Sequence, residues 1–221
     1  MIHSLPKTSY IRELKNNTMA GKLIILFGID GSGKSSIIKK LKDDSKNNEL
    51  IFARAITEPL FSKEINLLCE KLSISRKDYI TEGLRCTLWT NNLVWNVLNN
   101  IVPLLNEGND VILDRYIICN QVFLETYTDH IYHCMVKTLD CLPIPSLGIF
   151  LDVDVDKAIS RIANRSYLEQ HENRQTLIYF REKYLSIIPD EKYKIDIIDA
   201  NQDINKVYSD VLLSLRKVID I

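Results

Sequence analysis

Residues 23–36 read LIILFGIDGSGKSS. Five apolar residues in a row show no polar alternation, the pattern of a strand covered on both faces. The strand runs into Gly28, Ile29, Asp30, Gly31, Ser32, Gly33, Lys34 and Ser35, which fit G-x-x-x-x-G-K-[ST] without a mismatch. A helical pattern follows through Ser36, so the loop lies between strand and helix, where phosphate binding needs it. The glycines let successive backbone N–H groups turn inward around phosphate oxygens, and the helix N-terminus adds the positive end of its dipole. Lys34 is placed to bridge β- and γ-phosphates, and the Ser35 hydroxyl to hold Mg²⁺. The stretch reads as a P-loop for a nucleoside triphosphate. A glycine turn with an accidental lysine would require neither neighbour.

Outward from the loop the chain alternates. Apolar strands are expected at 23–27, 50–56, 111–113, 147–151 and 195–198. Helical periods are expected at 35–43, 64–72, 79–106, 130–141, 155–165, 175–188 and 204–218. Strands alternating with helices predict βαβ units, a parallel sheet and an α/β fold. A length of 221 residues suits one large domain. We expect an N-terminal extension at 1–19, polar and without strong periodicity, and a P-loop domain at 20–221. No repeat or low-complexity linker divides it.

Hydrophobic residues make up 46% of the chain and charged residues 26%, enough for a full core. The formal net charge of -1 argues against bulk electrostatic binding of nucleic acid or an anionic membrane. No apolar run approaches the roughly 18 residues that span a bilayer, and the N-terminus lacks a secretory apolar core. The five cysteines are odd in number and without C-x-x-C spacing. They read as reduced thiols of a cytoplasmic protein.

The destination of the phosphate depends on other segments. The base-reading NKxD of a GTPase is absent. The strand VILDR ends in Asp114-Arg115-Tyr116 rather than in paired acids that activate water. An aspartate at that strand end can hold the metal's water shell. The arginine beside it can clamp an incoming phosphate through paired N–H donors. Transfer to a phosphorylated acceptor fits this pair better than hydrolysis.

Here the chain resembles a known family. GIDGSGKS, Glu58-Pro59, Asp114-Arg115-Tyr116, PSLGIFLDVDVDKAISRIANR at 145–165, REKYLSI at 181–187 and the closing IDIIDANQD look like thymidylate kinase, collinear over residues 20–221. The resemblance implies a P-loop NTPase fold of three α/β/α layers, with a five-stranded parallel sheet and a small helical lid. It implies ATP as donor, Mg²⁺, dTMP as acceptor, dTDP as product and a homodimer. Arg115 corresponds to the arginine that holds the acceptor phosphate, and Asp30 to a loop acid that helps manage metal and acceptor. Glu58, Pro59 and Asn92 fall among the substrate contacts. Trp89 corresponds to the aromatic that stacks on thymine, Asn120 to a side chain that hydrogen-bonds the base, and Phe123 to the aromatic beneath the deoxyribose. Arg161 and Arg165 open the lid segment. Because Gly31 is not arginine, the chain resembles members whose transition-state arginine, here Arg165, comes from the lid. Ser35, Asp30 and Asp114 are the expected metal-side residues.

The chain also departs from the family pattern. Thr57 stands where the family often has arginine before Glu-Pro, and Leu93 where an arginine follows the stacking aromatic by four. Cys119 replaces a serine and Leu124 a glutamine. Two alternatives stay open on these residues. One is a kinase of another acceptor, such as a nucleoside, with Glu58 as the base that takes the hydroxyl proton. The other is a nucleotide-binding protein without turnover. His130 and His133 share a helix face but lack further ligands, so they read as a surface pair. Trp95, Leu98 and Val102 have helical spacing, which predicts a core or dimer contact.

Overall fold

Strands β1 (Leu23–Phe27), β2 (Leu50–Arg54), β3 (Asp110–Asp114), β4 (Leu147–Asp152) and β5 (Ile195–Asp199) form one parallel sheet in the order β2-β3-β1-β4-β5. The computed structural model describes residues 19–44, 50–56, 62–75, 80–127, 132–163 and 172–220. Every residue of β1 is buried, as its unbroken apolar run predicts. Its register pairs Leu26 with Asp114 on one side and with Ile149 on the other. The chain builds outward from β1 first toward β2 and β3, then toward β4 and β5. The loop after β1 therefore lies where the winding reverses, the place at which open parallel sheets bind ligands.

The helices are α1 (Lys34–Asp44), α2 (Ser62–Leu72), α3 (Glu82–Asn96), α4 (Val102–Asn106), α5 (Ile117–Tyr127), α6 (Tyr132–Leu139), α7 (Val155–Ile162), α8 (Arg174–Ile187) and α9 (Ile204–Leu215). Caps start several of them. Thr81 Oγ1 accepts from Leu84 N–H at α3, and Asn173 Oδ1 from Thr176 N–H at α8.

The chain packs as two compact units. One holds residues 19–54, 104–115 and 144–221, the sheet among them. Its core includes Phe27, Phe150 and Tyr184, whose ring centroids lie 5.1 to 5.7 Å apart. α9 lies against β4, β5 and α1. The other unit holds residues 55–103 and 116–143, in which α3, α5 and α6 pack on one another. Leu93, Ile118, Cys119, Val122 and Leu124 fill its interior, and the Tyr116 hydroxyl donates to Pro143 O at 3.0 Å.

Two features differ from the sequence reading. Helix α5 is absent from the predicted set, because IICNQVFLETY buries Ile118, Cys119, Asn120, Val122, Phe123 and Leu124 and so shows almost no polar stripe. The single helix expected at 79–106 contains a π-helical turn, Val97–Ile101, between α3 and α4. That turn holds an extra residue, so Trp95 and Val102 leave the common face that simple spacing gives them. Val102 is buried and Trp95 is 48% exposed.

Candidate active site

In the sheet unit, the loop from Gly28 to Gly33 is held by its own lysine. Lys34 Nζ donates to Gly28 O at 3.0 Å and to Ile29 O at 2.9 Å, and lies 3.4 Å from Ser32 Oγ. Gly31 and Gly33 take φ values of +83° and +97°, where a side chain is strained. A Cβ on Gly31 would lie 2.4 Å from Ala158 O, so the loop is seated against α7. This explains on steric grounds why an arginine cannot occupy that position here. Ser32 is buried, while Ser35 and Ser36 are exposed at the start of α1.

β3 ends beside this loop. Arg115 follows it with φ +68°, a left-handed conformation that costs a non-glycine residue about 1–2 kcal/mol. Its N–H donates to Leu26 O at 2.9 Å, and its guanidinium forms an ion pair with Asp30. Asp114 Oδ2 lies 3.7 Å from Arg54 Nε. Asp114 Oδ1 is buried and has no hydrogen-bond partner among the described residues. Arg161 donates to Gly31 O at 3.2 Å and to Ala200 O at 3.0 Å, tying α7 to the loop and to the end of β5. Arg181 grips Asp152 with Nε–Oδ1 at 2.6 Å and Nη2–Oδ2 at 2.9 Å, fastening α8 to the end of β4.

The helical unit gathers the residues expected to contact a base. Trp89 and Phe123 meet edge to face at 5.4 Å, and the Arg85 guanidinium lies 4.8 Å above the Trp89 ring. Thr90 Oγ1 lies 2.9 Å from both Asn120 Oδ1 and Cys86 O, with one proton to serve the two. Asn92, Asn120 and Phe123 are buried. Burial pushes the Cys86 thiol up to about 11, with the Arg85 charge opposing and Glu82 assisting.

The fold thus brings Asp30, Lys34, Asp114 and Arg115 together in one unit, and Trp89, Asn120 and Phe123 in the other. Thr57, Glu58, Pro59, Arg165, His130 and the 1–18 part of the extension lie outside the described residues. His133 is exposed, and the described residues contain no cluster of metal-ligating side chains. Sequence reasoning missed Arg85, Thr90 and the Asp152–Arg181 pair. Arg85 and Thr90 have a visible signal, since they lie four before and one after Trp89 on the same helix. The Asp152–Arg181 pair has none, because its partners are 29 residues apart.

The family model for thymidylate kinase matches residues 27–211. The chain belongs to the thymidylate kinase family. It is 28% identical over 208 residues to the thymidylate kinase of Ligilactobacillus salivarius, covering 90% of this chain and 99% of that one. It is 30% identical to the thymidylate kinase of Buchnera aphidicola subsp. Baizongia pistaciae, over 86% of this chain and 92% of its relative. The same identity relates it to a probable thymidylate kinase of Saccharolobus solfataricus, over 89% and 97% of the two chains. The solved thymidylate kinase of Candida albicans shares the fold, with TM-score 0.64 and 22% identity over 89% of this chain and 92% of that one. Membership of the family makes the chain a nucleoside monophosphate kinase, with ATP as phosphate donor, Mg²⁺ as metal and dTMP to dTDP as the reaction. The residues present suit that metal. The exposed Ser35 hydroxyl and the unpartnered Asp114 Oδ1 are hard oxygen donors of the kind Mg²⁺ prefers. Among the described residues, no helix is long and apolar enough to cross a membrane.

Proposed function

We propose that this chain performs dTMP phosphorylation with Lys34, Asp114, Arg115 and the lid residue Arg165 as its charge-handling residues. The observation that carries the reading is the pairing of Leu26 with Asp114, which sets the P-loop and the Asp114-Arg115 strand end side by side. Lys34 exchanges its loop carbonyls for the β- and γ-phosphates of ATP. Ser35, Asp30 and Asp114 are the residues that would hold Mg²⁺, which would supply neutralisation of phosphate charge. Arg115 orients the acceptor phosphate. The attacking oxygen is already anionic, so no side chain has to remove a proton, and the chain's task is to position and stabilise charge. Trp89 stacks on thymine, Asn120 contacts its edge, Phe123 lies under the sugar, and Asn92, Glu58 and Pro59 are further substrate-binding residues.

We further assign the protein to the cytoplasm as a homodimer. Exposed Leu67 and Leu72 on α2 and Leu84 and Trp95 on α3 are apolar side chains that a second copy can cover. The acceptor is tested by a coupled assay of ATP consumption over a panel of monophosphates and nucleosides. Turnover of dTMP, nearly abolished in Arg115→Ala, is expected. Good turnover of any nucleoside with none of dTMP overturns the reading, and a greater loss in Glu58→Gln than in Arg115→Ala then identifies Glu58 as the base.

A further inference from the structure

The Asp30–Arg115 ion pair joins two side chains to which the family resemblance gives separate tasks. Both are mostly withdrawn from solvent, with exposures of 16% for Asp30 and 22% for Arg115. Neither is placed by chance. Asp30 is fixed within a loop whose lysine holds the carbonyls of Gly28 and Ile29. Arg115 is fixed by a left-handed backbone and by its N–H bond to Leu26 O. In such surroundings a guanidinium does not give up a carboxylate unless another anion replaces it.

We propose that Asp30 is a specificity-determining residue, whose carboxylate occupies Arg115 so that only a doubly charged phosphate monoester displaces it. This rests on the reading of Arg115 as the holder of the acceptor phosphate. A phosphate monoester near neutral pH is largely a dianion with three terminal oxygens, so it outcompetes one carboxylate in both charge and paired hydrogen bonds. A phosphodiester brings one charge and gains nothing over the carboxylate it must expel. A nucleoside brings none. The pair therefore filters acceptors by charge, independently of the groups that contact the base.

Calorimetric titration of the nucleotide-free protein tests this, in the state in which Lys34 holds the loop carbonyls and with no donor present for turnover. The probes are dTMP, its singly charged 5′-methyl ester and thymidine. The proteins are wild type, Asp30→Asn, Asp30→Glu and Arg115→Ala, each first shown to melt cooperatively. In wild type, dTMP is expected to bind far more tightly than the ester, and the ester no better than thymidine. In Asp30→Asn the ester gains about tenfold over thymidine, the effect of one charge-assisted hydrogen bond no longer contested. Asp30→Glu, which keeps the charge, retains the wild-type order. An ester that binds wild type as tightly as dTMP overturns the filter, as does Asp30→Asn with no gain for the ester. If Arg115→Ala leaves the ratio of dTMP to thymidine affinity unchanged, the assignment of Arg115 itself falls, a result distinct from the other two.

Discussion

Lys34 directs its ammonium to oxygens of its own loop, which supply the hydrogen bonds that its burial would otherwise deny it. Lys34→Ala removes a donor aimed at transferring phosphate rather than a piece of core. We expect kcat to fall about 10²- to 10³-fold, the range for losing one such donor, with the fold retained but the melting temperature lowered by the loss of the bonds to Gly28 O and Ile29 O. Steady-state kinetics and calorimetry check both. Cys86 offers a second test. With its thiol pushed up to about 11, it stays protonated and unreactive at neutral pH, and it is buried, whereas Cys134 is exposed to reagent. Iodoacetamide should label Cys134 first and Cys86 only after unfolding, as mass spectrometry of the peptides will report. The P-loop was readable from the sequence because its mechanism demands contiguous residues. The Asp30–Arg115 pair was not, since its members are 85 positions apart and nothing local marks them as partners.

The seating of the loop against α7 separates two glycines that look equivalent in the sequence. A Cβ on Gly33 meets nothing within 4 Å, so Gly33→Ala suffers only the strain of its positive φ, about 1–2 kcal/mol. Gly31→Ala suffers that strain and also drives its methyl into the Ala158 backbone. Urea denaturation should show the Gly31 variant losing at least twice as much stability as the Gly33 variant. Strands were readable for the opposite reason to α5. Unbroken apolar runs such as LIILF and LGIFL stand out against polar flanks, and each lies within a residue or two of its place in the sheet. α5 is apolar on nearly every side and offers no period to detect, although it carries Asn120 and Phe123. Half of the expected base contacts thus sat on an element the periodicity did not announce.

Across the whole molecule, two behaviours follow from what lies on its surface. Trp95→Glu places a charge where a second copy is expected to rest. Sedimentation should change from dimer to monomer, with a melting temperature that falls and no longer depends on protein concentration, and a variant that stays dimeric would remove Trp95 from the interface. The second behaviour concerns acid. Burial of Asp196 would raise its carboxyl, but hydrogen bonds from Lys217 and Ser214 and the charges of Lys217 and Lys194 outweigh it and hold the group below its usual value. A depressed carboxylate contributes its stability fully above its unfolded value of about 3.9 and loses it as pH falls through the folded value. Between about pH 5 and about pH 3, wild type should therefore lose more melting temperature than Asp196→Asn.

The π-helical turn at Val97–Ile101 also bears on which changes of length the gene can tolerate. One surplus residue is already looped into that turn, so excising one, such as exposed Asn99, converts the turn to ordinary α-helix and leaves the helical phase on either side intact. Excising Leu88 from α3 instead swings each following residue by about 100° and misplaces Leu93 and Val97. The same three-nucleotide deletion should be nearly silent at one codon and ruinous eleven codons earlier.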